Sequence, residues 1–308
     1  MDIVIPFVDC FEKVWMKNYL SFINDEKNKN YMQIKFCYTQ FYNYDSVKYV
    51  LRGIDKFIPY VDNVFFVVSN IEQIPEYIDQ SKVKVVLHKD FIPEKYLPTF
   101  QANTIEMFMY NIPGLGEEFV YFNDDMIPIS DIPYDKLFKD GLPCINFVEN
   151  YIEPIYMTNK IFNLSFFEAK NTAQTLKGEE INYDGPALCP VHGPNAFLKS
   201  ECIKAASIKR HNSILNFYIT PLRRNRNLNQ YYWSDILYFL NKYALSDIKL
   251  KYMTTLDIDS LDVEDIHKNY QYLCINDFGS HTHTMSEVKE ILGSKLDTIF
   301  PNKCKYEK

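Results

Sequence analysis

The sequence predicts an α/β fold: a mostly parallel sheet with helical crossovers, joined to a helical lobe. Three observations carry that prediction. Four short, largely apolar runs lie within the first 130 residues, at Asp2–Val8, Val64–Val68, Val83–Leu87 and Phe119–Phe122. Such unbroken runs suit strands that are covered on both faces. Stretches of helical spacing separate them, which gives strand-helix-strand alternation and hence parallel neighbours. Finally, each run closes on polar residues: Asp9, Ser69, His88 and the trio Asn123, Asp124 and Asp125. Open α/β sheets bind their ligands at the carboxyl ends of the strands.

Taken in order, Trp15–Ile23 has helical spacing and 25–35 reads as a polar loop. Over Tyr44–Ile58, Val47, Val50, Leu51, Ile54 and Phe57 make a helical stripe, with Arg52 off it and Pro59 ending it. Pro98–Asn111 is a helix start followed by the stripe Ile105, Phe108 and Met109. Glu106, one turn beyond Ala102, is either an exposed charge or a cleft residue. The pattern changes after Ile127. Residues 131–155 are rich in Pro and Asp, with a turn at Asp140, and Phe162–Leu176, Phe197–Ala206, Tyr231–Tyr243 and Val288–Ile299 read as helices. Leu273–Phe278 is another apolar run, closing on Asn276 and Asp277. The expected organisation is one domain over 1–308, with a sheet core in 1–130. Residues 131–308 then supply a helical lobe and C-terminal segments that return to the cleft.

Composition narrows the class. With 308 residues and 47% hydrophobic content, a sizeable core is possible. A net charge of −7 argues against non-specific nucleic-acid binding, which needs a basic surface. The apolar runs are too short to cross a bilayer, so no transmembrane segment is expected. The opening MDIVIPFVDC lacks the basic and long apolar parts of a signal peptide. Seven cysteines without a CxxC pair read as reduced thiols, which predicts a cytoplasmic location.

The acids at 124 and 125 are the chemical focus. Carboxylates at a strand end must be solvated, hydrogen-bonded or bound to a cation, because desolvating them unpaired is costly. Paired there, they suit a hard divalent ion shared with substrate phosphates, although a polar turn with a helix cap would use the same residues. His192 stands between Pro190 and Pro194 in stiff backbone. Arg223, Arg224 and Arg226 form the one dense basic cluster. It is either a solvated loop or an anion site, since guanidinium forks match phosphate.

Several stretches together resemble the Stealth family of sugar-phosphate transferases. That family includes bacterial capsular polysaccharide phosphotransferases and the α/β subunit of the lysosomal-enzyme N-acetylglucosamine-1-phosphotransferase. IVIPFVDC resembles its first block, with Asp9 kept and Phe7 in place of Trp. The longest match runs from YVLRGIDKFIPYVDNVFFVVSN through VVLHKDFIP and LPTF to IEMFMYNIPGLGEEFVYFNDDM. VHGPNAFLKS with RRNR, and CINDF with FPNKCKYE, resemble the remaining blocks. Departures fall at Gln101-Ala102, Asn195 and Arg224-Asn225-Arg226.

The resemblance implies a nucleotide-sugar-transferase-like fold. It also implies transfer of a hexose or N-acetylhexosamine 1-phosphate from a UDP-sugar to a glycan or lipid-linked oligosaccharide hydroxyl, for capsule or other surface polysaccharide. Within that chemistry His192 is the expected base, Glu106 orients either His192 or the acceptor, and Asp125 and Arg226 are also catalytic. Asp124, Asp125 and Asp277 are expected to hold Mg²⁺ or Mn²⁺. Asp9, Arg52, Arg224, Asn123 and Asn276 are expected to bind substrate. Such an enzyme would work in the cytoplasm, peripherally at the inner face of the membrane when its acceptor is lipid-linked. Two alternatives use the same residues: a metal-dependent glycosyltransferase that releases UDP, and a non-catalytic sugar-binding protein.

Overall fold

The structure, a computed structural model, describes residues 1–31, 42–152, 161–185, 187–223, 227–277 and 282–308. Its centre is a five-stranded sheet. Strands β1 (Asp2–Pro6), β2 (Asn63–Val68), β3 (Lys84–Leu87) and β4 (Glu118–Tyr121) run parallel, in the order β4-β1-β2-β3. The strand Asn195–Leu198 pairs antiparallel with the outer side of β4. Ile3 lies between Val64 and Val120 in the ladder. Alternate residues face opposite cores: Ile3, Ile5, Phe66 and Val120 on one side, Val4, Phe65, Phe119 and Tyr121 on the other. Burying each such side chain contributes about 1.5–3 kcal/mol, which is why these runs carry no polar interruption.

After helix α1 (Lys13–Asn24), helix α2 (Ser46–Phe57) covers the first face with the predicted stripe Val47, Val50, Leu51, Ile54 and Phe57. Its Gly53 presses on the strand β5 (Met126–Pro128): a Cβ there would lie 2.3 Å from the Pro128 carbonyl oxygen. The second face is covered by α3 (Ala102–Phe108) and by the helices Ile161–Lys177 and Tyr231–Phe239, through Met107, Phe166, Ala169, Trp233 and Ile236. The anticipated helical lobe is therefore packed onto the sheet itself. A second, three-stranded sheet joins β5 to Tyr272–Asn276 and Leu250–Thr254, with Met126 opposite Cys274. Among the described residues no helix is long and apolar enough to cross a membrane.

Two stretches differ from expectation. Phe197 and Leu198 belong to the edge strand, and the helix begins at Lys199. β4 would otherwise expose an unpaired edge, and tertiary pairing overrides local helical spacing. The Pro- and Asp-rich segment after Ile127 holds short strands at Phe138–Lys139, Leu142–Ile145 and Phe147–Ile152. The first two form a hairpin whose turn, Asp140-Gly141, has φ of +53° and +75°, as a tight hairpin requires.

Arg52 is a correction. Expected at the substrate, it is buried under the C-terminal tail, where its Nε and Nη2 donate to the two Glu307 carboxylate oxygens at 2.7 and 2.9 Å. Its Nη1 donates to the Phe300 carbonyl at 2.7 Å and to Asp297 at 3.2 Å. The planar fork thus fastens the tail to α2, with four of its five N–H donors spent there, away from the acidic turn. Arg52→Ala would strand Glu307, whose side chain is 2% exposed, and is expected to cost about 3–5 kcal/mol in urea unfolding. A loss of about 0–1 kcal/mol, the range of an exposed pair, would contradict this reading.

Candidate active site

The β4 ladder extends one residue further, where Phe122 N–H donates to the Val4 carbonyl at 2.9 Å. The chain then reverses. Met126 N–H closes the turn on the Asn123 carbonyl at 3.2 Å, and the Asp125 carbonyl accepts from Ile275 N–H at 3.2 Å. Asn123, Asp124 and Asp125 are thereby held half-buried at the carboxyl edge of the sheet. Two other strands deliver side chains to the same place. Asn195 pairs with Tyr121, so the preceding residues, including His192, run past the end of β4 beside the acidic turn. The strand Tyr272–Asn276 brings Cys274 from the other side.

The donor atoms of Asp125, His192 and Cys274 all lie within 4.8 Å of one another. The Cys274 thiol donates to Asp125 Oδ2 at 3.6 Å, while Asp125 Oδ1 is buried without a partner. His192 Nδ1 and the Tyr231 hydroxyl lie 3.2 Å apart, the ring meets Tyr252 edge-on at 5.8 Å, and Nε2 has no partner. Burial lowers the His192 pKa below its ordinary value, against the opposing pull of Asp125, and the Arg223 charge lowers it further. The ring is therefore neutral at pH 7. With Nδ1–H given to Tyr231, its Nε2 lone pair is available to a proton.

Burial, with the neighbouring Asp125 charge added, pushes Asp124 up to about 8. Asp125 is also raised by burial, though His192 and the Cys274 thiol pull it down. Such uncompensated carboxyls, one with a partnerless oxygen, fit Mg²⁺ or Mn²⁺, which neutralise paired carboxylates through oxygen ligands. Asp277, the third expected ligand, accepts from Thr255 at 3.3 Å and from the Tyr44 hydroxyl. It stands outside the close group around Asp125, as does Asp124.

The remaining expected residues divide. Asp9 sits in the loop after β1, its carboxylate accepting from Phe11 N–H at 2.8 Å and from Asn43 at 3.2 Å. Its backbone N–H is clasped by Gln73 at 2.6 Å. Asn276 ends its strand beside Thr254. Of the two roles expected of Glu106, orienting His192 is a correction: the group that meets the imidazole is Tyr231. Glu106 is buried and accepts from Gln230 N–H at 2.8 Å and the Tyr121 hydroxyl at 3.2 Å. Its own carbonyl accepts from Trp233 Nε1 at 3.0 Å. It anchors the start of the helix that carries Tyr231. Arg224 and Arg226 lie outside the described residues. Both flanks of their segment are fixed: Phe100 N–H donates to the Pro221 carbonyl at 2.9 Å, Asn103 to the Leu228 carbonyl at 3.1 Å, and Gln101 to the Thr220 carbonyl. Arg223 is exposed, and its charge reaches both His192 and Glu106.

Two site residues escaped the sequence reading. Cys274 was grouped with scattered thiols, although its place two residues before Asn276 in an apolar run aimed at the edge was a usable signal. Tyr231 had no local signal, because its partner is 39 residues away.

Because both acids sit above the ordinary carboxyl range, protons compete with a cation for them. Mg²⁺ or Mn²⁺ affinity is therefore expected to rise as pH climbs through about 8 and then level off, with protons released on binding. Titration calorimetry in buffers of different ionisation heat checks this. An affinity flat from mildly acidic to mildly alkaline pH would contradict it. Tyr231→Phe is expected to raise KM little while lowering turnover, since the imidazole loses the partner that fixes its tautomer.

The chain is similar to several known proteins. Residues 40–145 match Stealth protein CR2, conserved region 2. The exopolysaccharide phosphotransferase cps2G of Lactiplantibacillus plantarum is 27% identical, across 100% of this chain and 96% of its own. The receptor polysaccharide phosphotransferase WefC of Streptococcus oralis is also 27% identical, across 100% and 99%. Among solved structures, the galactosyltransferase LgtC with donor and acceptor sugar analogues aligns over 96% of both chains, at 11% identity and a TM-score of 0.41, too remote a likeness to assign residues. Residues 40–145 thus resemble a conserved region of the Stealth proteins, and the polysaccharide phosphotransferases similar to this chain align along its full length.

Proposed function

We propose that the protein transfers a hexose or N-acetylhexosamine 1-phosphate from a UDP-sugar to a glycan hydroxyl, forming a phosphodiester and releasing UMP. The observation that carries this reading is a half-buried, neutral His192 with a partnerless Nε2, its ring nitrogen within 4.8 Å of the Asp125 carboxyl at the end of β4. The polysaccharide phosphotransferase names of its relatives support the reaction class. The acceptor is a growing surface polysaccharide or lipid-linked oligosaccharide, met in the cytoplasm or at the inner membrane face.

In this mechanism the acceptor oxygen attacks the phosphorus that bears the sugar, and the bond from that phosphorus to the UMP oxygen breaks. His192 Nε2 takes the hydroxyl proton, while the Tyr231 hydroxyl accepts from Nδ1–H and steadies the imidazolium that forms. Asp124 and Asp125, with Asp277, would hold Mg²⁺ or Mn²⁺, which would supply positive charge against the diphosphate, while Asn123 is assigned to the substrate. Arg224 and Arg226, in the segment after Arg223, are assigned to the phosphate oxygens. Asp9 and Asn276 are assigned to the substrate. Glu106 acts through the helix it anchors, as a positioning residue.

Incubation with UDP-N-acetylglucosamine, Mg²⁺ and oligosaccharide acceptors is expected to yield UMP and a phosphodiester. UDP with a simple glycoside would instead make the protein a glycosyltransferase. His192→Ala is expected to lower turnover roughly 10²–10⁴-fold with donor binding retained. Near-normal turnover in that variant would remove the base from the mechanism.

A further inference from the structure

We propose that Asp125, His192 and Cys274 form a second cation site, exclusive of the first, which takes zinc or a similar transition-metal ion and silences the base when filled. The donor set is the first argument. Mg²⁺ takes oxygen ligands, whereas a thiolate and an imidazole select zinc and its neighbours. Asp125 can serve either set, but not both at once.

Geometry is the second argument. A tetrahedral zinc with bonds of about 2.0–2.3 Å needs donors about 3.3–3.8 Å apart. Cys274 Sγ and Asp125 Oδ2 are already 3.6 Å apart, and the whole trio lies within 4.8 Å. The three residues come from separate segments: the turn after β4, the approach to the edge strand, and the strand Tyr272–Asn276. Closing on an ion therefore needs small side-chain adjustments rather than a refolded loop.

The partners of each atom are the third argument. His192 Nε2 and Asp125 Oδ1 are buried without partners. His192 Nδ1 is held by Tyr231, the outer hydrogen bond that orients a metal-binding imidazole. Three protein ligands leave a fourth position for water. On binding, the Cys274 thiol gives its proton to solvent and the Asp125–Cys274 hydrogen bond is replaced by two metal bonds. The ion then occupies the Nε2 lone pair that would accept the acceptor proton, and removes Asp125 from the oxygen-only site. Metal binding here needs nothing from the transferase reading; the loss of turnover rests on it.

Cobalt(II) added to the full chain is the direct probe. One equivalent is expected to give a sulfur-to-cobalt charge-transfer band that zinc displaces, and that is lost in Cys274→Ser. Because Cys274 is fully buried, Asp125→Asn supplies a second variant that keeps the thiol and is expected to weaken cobalt binding. No thiolate band, or a band unchanged in both variants, would overturn the site. One equivalent of zinc is expected to lower Mg²⁺-supported turnover by roughly 10²-fold, the effect of removing a general base, with recovery on chelation. A cobalt–thiolate band with turnover untouched by zinc would overturn the switch. A protein that shows the band but no turnover under any condition would keep the metal site and discard the transferase reading.

Discussion

The antiparallel pairing of β4 with Asn195–Leu198 decides where the chemistry falls. β4 is parallel to β1 on its other side, so its carboxyl end points the same way as those of β1, β2 and β3. The added edge strand runs the opposite way, and its upstream residues therefore arrive at that same end. A one-residue slip would invert every side chain of the edge strand and turn Ala196 from one core to the other. The buried alternation of Ala196 and Phe197 resists it, since the two belong to the cores on opposite faces of the sheet. Packing far from the turn thus sets the height at which His192 meets Asp125.

A polar chain threads the second core and finishes the alignment. Glu106 is buried, so its charge is costly unless its hydrogen bonds are made, and burial raises its pKa accordingly. Its partners, Gln230 N–H and the Tyr121 hydroxyl, tie α3 to the start of the Tyr231–Phe239 helix and to β4. Tyr231 follows directly and reaches His192. The site is preorganised from beneath, by groups that need not touch substrate. The same burial that keeps His192 neutral also leaves Asp124 and Asp125 competing for charge. One desolvated edge therefore both keeps the imidazole neutral and lifts the two acids above the ordinary carboxyl range.

The parallel core was legible because β1, β2 and β4 are buried on both faces, leaving unbroken apolar runs, and α2 because one stripe had to meet them. The acidic turn was legible because two carboxyls directly after such a run have few places to go. Contacts made across long sequence separations were not. Arg52 looked available from its position off the α2 stripe, yet Glu307, 255 residues away, takes its fork. Phe197 and Leu198 looked helical until a strand edge required them. Cys274 became part of the site through Asp125, 149 residues distant. Local spacing reports what a residue faces in its own element, and only the assembled sheet decides what stands opposite.

The central claim is that the bond broken lies between the two phosphorus-bearing groups of the donor, with the sugar's own phosphate carried to the acceptor. A UDP-sugar labelled at the phosphorus next to the sugar tests it in one step. The account predicts that the label passes to the glycan, in a linkage that resists phosphatase, while the released nucleotide is unlabelled. Label recovered in the nucleotide, with an unlabelled glycoside formed, would contradict it.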